Sequence, residues 1–129
     1  MLGVTNMEAS LRFYVDGLSF EMTNKWTPEG KIRWCWLQLG GAALMLQEFT
    51  KLPEGKLGQG VTLNFQCNDS VAIYHQATAR GLQAKNPFVG NAMWVTGLSD
   101  PDGYAIYFHS PTDVPEETEY VGQVPDLPT

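Results

Sequence analysis

Apolar and polar positions alternate along much of this chain, and two stretches of helical spacing interrupt the alternation. In the first half the alternating runs are Phe20–Trp26, Ile32–Leu39 and Ala42–Glu48, separated by Pro28-Glu29-Gly30 and by Gly40-Gly41, a pattern that predicts three strands joined by turns. In the second half the same pattern predicts strands over Val61–Cys67, Leu82–Phe88, Met93–Leu98 and Tyr104–His109. One helical segment opens at Asn6 and the other at Asn68, and each runs to a glycine, Gly17 or Gly81, placed to form a left-handed C-terminal cap. With a short strand over Met1–Thr5, each half reads strand, helix, strand, strand, strand.

The halves also match in register. Asn6-Met7-Glu8-Ala9-Ser10-Leu11 aligns with Asn68-Asp69-Ser70-Val71-Ala72-Ile73, and Gly41-Ala42-Ala43-Leu44-Met45-Leu46-Gln47 aligns with Gly103-Tyr104-Ala105-Ile106-Tyr107-Phe108-His109, both at an offset of 62 residues. A repeated βαβββ unit follows, and with it an α+β fold of two tandem units whose curved mixed sheets surround a concave cavity. The expected organisation is one domain over residues 1–111 (unit one 1–48, connection 49–60, unit two 61–111), followed by an acidic, proline-containing tail over 112–129. The turn Asp100-Pro101-Asp102-Gly103 has the strongest local signature, because proline presets one turn angle and Asp-Gly tolerates positive φ.

Alternation also sorts side chains by face. Residues on the helix-facing side of a βαβββ sheet must be apolar, which suits Cys35, Leu37, Leu39, Leu44, Leu46, Ile106 and Phe108. The opposite face then carries Trp34, Trp36, Gln38, Ala43, Met45 and Gln47 in one half, and Ala105, Tyr107 and His109 in the other. Large rings with a few polar groups are the usual lining of a small-molecule site, although Trp34 and Trp36 would serve equally to fill a core or a dimer interface.

Composition narrows the function. The formal charge of −6 arises mainly in the tail, where Asp113, Glu116, Glu117, Glu119 and Asp126 have no basic residue among them. The remainder, with eight basic and nine acidic residues, has no basic stripe for nucleic acid, and no apolar run is long enough to cross a membrane. Without an export signal at the N-terminus, the expected location is the cytoplasm, and Cys35 and Cys67 are expected as reduced thiols. There is no Gly-x-Ser-x-Gly elbow, phosphate-binding glycine loop or Cys-x-x-Cys pair.

Asn6-Met7-Glu8-Ala9-Ser10-Leu11-Arg12-Phe13-Tyr14, followed by Gly17-Leu18-Ser19-Phe20, resembles the helix signature of the vicinal oxygen chelate superfamily, which includes lactoylglutathione lyase, bleomycin resistance proteins and extradiol dioxygenases. Asp100-Pro101-Asp102-Gly103-Tyr104 resembles the same family's turn before the last strand, and the likeness covers about residues 1–110. The resemblance implies a homodimer in which facing units share the cavities. It also implies a divalent metal held by one side chain from the first and one from the last strand of each unit. Carried over, those positions fall on Met45, Thr62 and Tyr107, with a fourth just ahead of Met1. A thioether, a neutral hydroxyl and a phenol are poor ligands for a divalent ion, so no cofactor is expected.

The resulting expectation is a metal-independent protein that binds a small molecule, aromatic in character, through Trp34, Trp36, Met45, Gln47, Thr62, Tyr107 and His109. No catalytic constellation is visible. The alternative is a metal-dependent lyase, isomerase or dioxygenase with a displaced site, drawing on Gln47, Gln66 and His109 for its divalent metal. A third reading makes the chain a degenerate unit that associates with another protein through its acidic tail. His75 is expected on the outer surface of the second helix.

Overall fold

A computed structural model describes residues 1–49 and 57–121; most of the expected connection and the end of the tail lie outside the described residues. Unit one comprises β1 (Leu2–Val4), α1 (Met7–Leu11), β2 (Glu21–Trp26), β3 (Trp34–Leu39) and β4 (Ala42–Glu48), and unit two comprises β5 (Thr62–Gln66), α2 (Ser70–Ala79), β6 (Phe88–Gly90), β7 (Met93–Ser99) and β8 (Ala105–Pro111). Each unit forms a four-stranded mixed sheet, in the orders β1-β4-β3-β2 and β5-β8-β7-β6. The first and last strands of each unit run parallel and the other pairs antiparallel. This is the α+β arrangement of two βαβββ units predicted from the repeat.

Helix capping shows where the repeat shifts. Asn6 Oδ1 accepts from Ala9 N at 3.1 Å, and Asp69 Oδ1 accepts from Ala72 N at 3.0 Å, each satisfying an amide that the first turn leaves open. The equivalent cap of Asn6 is therefore Asp69, not Asn68, and the offset grows by one residue at the helices. The glycines at the helix ends also differ. Gly81 has φ of +89° and forms the left-handed cap, whereas Gly17 ends a π-helical segment, Arg12–Gly17, and the positive φ comes later, at Ser19. Gly17 is needed for close approach, since a Cβ there would stand 2.6 Å from the Leu82 side chain.

The strand predicted over Leu82–Phe88 is split. Ala84 bridges to Leu98 and Lys85 N donates to Gly97 O at 2.8 Å, but the chain reaches regular pairing only at Phe88–Gly90, after Pro87. Proline has no N–H to continue the ladder.

The described part of the tail, to residue 121, turns at Glu116–Glu117, where Glu117 has φ of +64°, and then lies along β6. Val89 N donates to Thr118 O, Glu117 N donates to Val89 O, and Tyr120 N donates to Pro87 O. It thereby covers a sheet edge that would otherwise be unpaired.

One core serves both units. Val4, Tyr14, Phe20, Leu37 and Leu46 from the first join Leu98, Ile106 and Phe108 from the second. Tyr14 meets Phe20, Phe20 meets Phe65, and Phe65 stacks on Phe108 with centroids 5.4 Å apart. Each such buried side chain contributes about 1.5–3 kcal/mol by leaving water. Cys35 and Cys67 are unpaired thiols, and burial raises the pKa of both. Among the described residues, no helix is long and apolar enough to cross a membrane.

Candidate functional site

Strand pairing places the candidate residues in two groups. On the first sheet Trp36 lies opposite Met45 and Trp34 opposite Gln47, all on the face away from the core. Trp26 pairs with Trp34 and extends this face, and its ring is 55% exposed. The inward neighbours Cys35, Leu37 and Leu46 are fully buried, whereas Trp34, Trp36, Met45 and Gln47 are half-buried. Trp36 Nε1 donates to Gln38 Oε1 at 3.2 Å, which fixes one end of the indole and leaves its ring face available.

On the second sheet Tyr107 and His109 occupy the corresponding face of β8, with ring centroids 6.5 Å apart. Tyr107 lies over Gly97, where a Cβ would be 2.7 Å from its ring, so the glycine makes room for the phenol. His109 Nε2 lies 2.9 Å from Asn64 Oδ1 and so carries the proton in this bond, because a carbonyl oxygen can only accept. Thr62 is exposed and pairs with Ala105, two residues along the strand from the partner of Tyr107. That partner is Asn64, a polar residue beside Tyr107 that sequence reasoning overlooked. The signal was present: Asn64 shares the parity of Thr62 on the same strand.

The two groups remain apart within one chain. Among the described residues no hydrogen bond or ring contact links Trp34, Trp36, Met45 or Gln47 with Thr62, Tyr107 or His109. Among the described residues, clefts of about 540 to 640 Å³ indent the surface elsewhere, and none of these seven residues lines them. Gln66 is also exposed, beside His109 on the outer face of β5. His75 is exposed, with Nε2 2.8 Å from Tyr120 Oη, so it takes part in holding the tail.

The donor set does not fit a divalent metal. Met45 and Tyr107 stand at the last-strand positions, one a soft thioether and the other a phenol, and Thr62 offers a neutral hydroxyl. Among the described residues no group of three or more His, Cys, Asp and Glu side chains converges. The arrangement can stack planar groups on its indoles and phenol and orient them with Gln47, Asn64 and His109.

Comparison with known proteins agrees with this architecture. No curated protein matches the chain. Among solved structures, TnmS3, an antibiotic binding protein from Streptomyces sp. CB03234, superimposes with a TM-score of 0.69 at 22% identity, covering 86% of this chain and 91% of its own. A bleomycin resistance determinant encoded on the transposon Tn5 gives 0.68 at 20% identity, with 85% and 92% covered. A glyoxylase/bleomycin resistance protein/dioxygenase domain from Frankia sp. EAN1pec gives 0.71 at 16% identity, with 88% and 90% covered. At these identities the likeness establishes the fold alone. The family model described as Glyoxalase/Bleomycin resistance protein/Dioxygenase superfamily matches residues 1–108, both βαβββ units together, and the chain therefore belongs to that superfamily.

Proposed function

We propose that this superfamily member binds a small aromatic molecule without a metal, and that binding itself is the function. One observation carries the reading: Met45 and Tyr107, at the last-strand positions, sit on faces lined by Trp34 and Trp36 in one unit and His109 in the other. Thioether, indole and phenol suit a planar apolar ligand, and Gln47, Thr62 and His109 supply the polar contacts that orient it. The fold neighbours support the reading, since one is an antibiotic binding protein and another a bleomycin resistance determinant.

The site we propose is completed by a second copy of the chain. Within one chain the two groups of residues face solvent separately, so a homodimer that sets unit one of one protomer against unit two of its partner would close the cavity. Exposed Trp26 and Phe88, at the edges of these faces, are large apolar side chains that such an interface would cover. Size-exclusion chromatography with light scattering tests this, and a monomer at micromolar concentration counts against it.

Ligand binding by metal-stripped protein, lost in Trp36→Ala and in Tyr107→Ala while the folded state is retained, is the expected result. Unchanged binding in both variants removes those residues from the site. A displaced metal site in a lyase, isomerase or dioxygenase is the competing reading. It rests on Gln47, Gln66 and His109, and elemental analysis of purified protein decides it, because such an enzyme would take up Mn, Fe, Co, Ni or Zn stoichiometrically.

A further inference from the structure

A separate cleft of about 540 Å³ opens between the two units, with an inward-facing apolar wall and a polar, exposed rim that includes Gln66, Asn68 and Gln76. Its volume is in the range of small-molecule sites. Leu39, Phe65 and Phe108 form its apolar wall, and Arg80 stands at its rim. The cleft has no acidic residue in its lining, so Arg80 is its one charged group.

The guanidinium is held in place. Nη1 of Arg80 donates to Gly17 O at 3.2 Å and to the Ser19 hydroxyl, which ties α2 to the loop that ends the π-helical segment. Guanidinium has five N–H donors, and among the described residues Arg80 makes no ion pair. The cation is thus oriented and exposed at the rim without a counter-charge, where a carboxylate can reach it while an attached apolar body packs on the wall beside it. In a chain of net charge −6, an anion needs such a local cation to bind.

We propose that this cleft binds a small monoanionic amphiphile, an aryl- or alkyl-carboxylate whose carboxylate pairs with Arg80 and whose apolar body packs on Phe65 and Phe108. A neutral ligand would leave the guanidinium unused, and a cation would be repelled by it. The site shares no residue with the proposed aromatic faces, so either can fail without the other.

The test is a titration of 4-phenylbutyrate into the isotopically labelled full chain, followed by amide chemical shifts, with 4-phenylbutyramide as the neutral control. Saturable shifts centred on Gly40, Gly41 and Asn68 are expected, weakened about tenfold for the amide and in Arg80→Gln, as befits loss of a hydrogen-bonded charge. Gln76→Trp keeps the arginine and blocks the cleft from an exposed helix position, so it should abolish the shifts even if Arg80→Gln perturbs the fold. Equal binding of carboxylate and amide, full binding by Gln76→Trp, shifts confined to Trp34, Trp36 and Tyr107, or no saturable shift would each overturn the proposal.

Discussion

Tyr14 and Asp100, 86 residues apart in the chain, meet in the shared core, where the phenol donates to Asp100 Oδ2 at 2.7 Å. Asp100 Oδ1 accepts from the backbone N–H groups of Asp102 and Tyr104, each at 2.9 Å. The neighbouring Asp102 accepts from the amide and hydroxyl of Thr5, and Tyr104 donates to Gly3 O at 2.9 Å. The turn before the last strand thus fastens unit two to the π-helical segment, the first strand and Thr5 of unit one.

This pair predicts a pH-dependent mutant. Burial raises the Asp100 carboxyl above the ordinary range, while the bonds from Tyr14 and the two amides act to lower it. Burial also raises the Tyr14 phenol, so it stays a donor throughout the accessible pH range. A carboxyl raised in the folded state holds its proton more tightly than in the unfolded chain, so its contribution to stability is lost as pH rises through the folded value. Tyr14→Phe removes a bond that favours the ionised form and raises that value further. The variant should lose about 1.5–3 kcal/mol at pH 8 and less at pH 4.5, measured by urea unfolding. A cost that is equal at both values, or larger in acid, would contradict the assignment.

Gly58 predicts a sharper loss. A Cβ there would stand 2.1 Å from Tyr104 N and 2.3 Å from Gly103 C, both backbone atoms of the fastening turn, and Gly58 N donates to Asp102 O at 3.0 Å. Gly58→Ala should cost at least about 3 kcal/mol, because backbone cannot step aside as a side chain can. Gly17→Ala, opposed only by the Leu82 side chain, should cost about 1–2 kcal/mol. Thermal unfolding of the two variants in parallel checks the order.

The β6–β7 hairpin predicts one gain and one loss. Asn91 and Ala92 both have positive φ, at 53° and 61°, an arrangement that glycine tolerates and alanine does not. The Glu116 carboxylate offsets this cost by accepting from both of their amides, at 2.9 and 2.7 Å. Ala92→Gly should stabilise the protein by about 1 kcal/mol, and Glu116→Ala should destabilise it by a similar amount. Chemical denaturation reads both signs.

How far the sequence carries depends on whether a feature is local. The faces of β3, β4 and β8 followed from strict alternation, because a buried Leu37 or Ile106 forces its neighbours outward. The fastening turn was visible in Asp100-Pro101-Asp102-Gly103. By contrast, the strand read over Leu82–Phe88 ignored Pro87, the local breaker after which β6 begins, while the pairing of β6 with the tail depends on tertiary contacts. The face of Asn64 was legible from its parity with Thr62, but its place beside Tyr107 depends on a parallel register that alternation does not specify. The tail reads as surface chain from its prolines and charges, yet Glu116 and Tyr120 hold it by contacts that exist only in the fold.

The proposed function has the outer sheet faces recognise an aromatic ligand without a metal. The most direct measurement is the shift in melting temperature of chelator-treated full chain with a panel of planar aromatic antibiotics, each with and without added Mn, Ni or Zn, because ligands that bind the folded state raise its apparent stability. A concentration-dependent rise is expected for at least one compound, the same in chelator as with metal, and absent in Trp36→Ala. A rise that appears only when metal is added would contradict it.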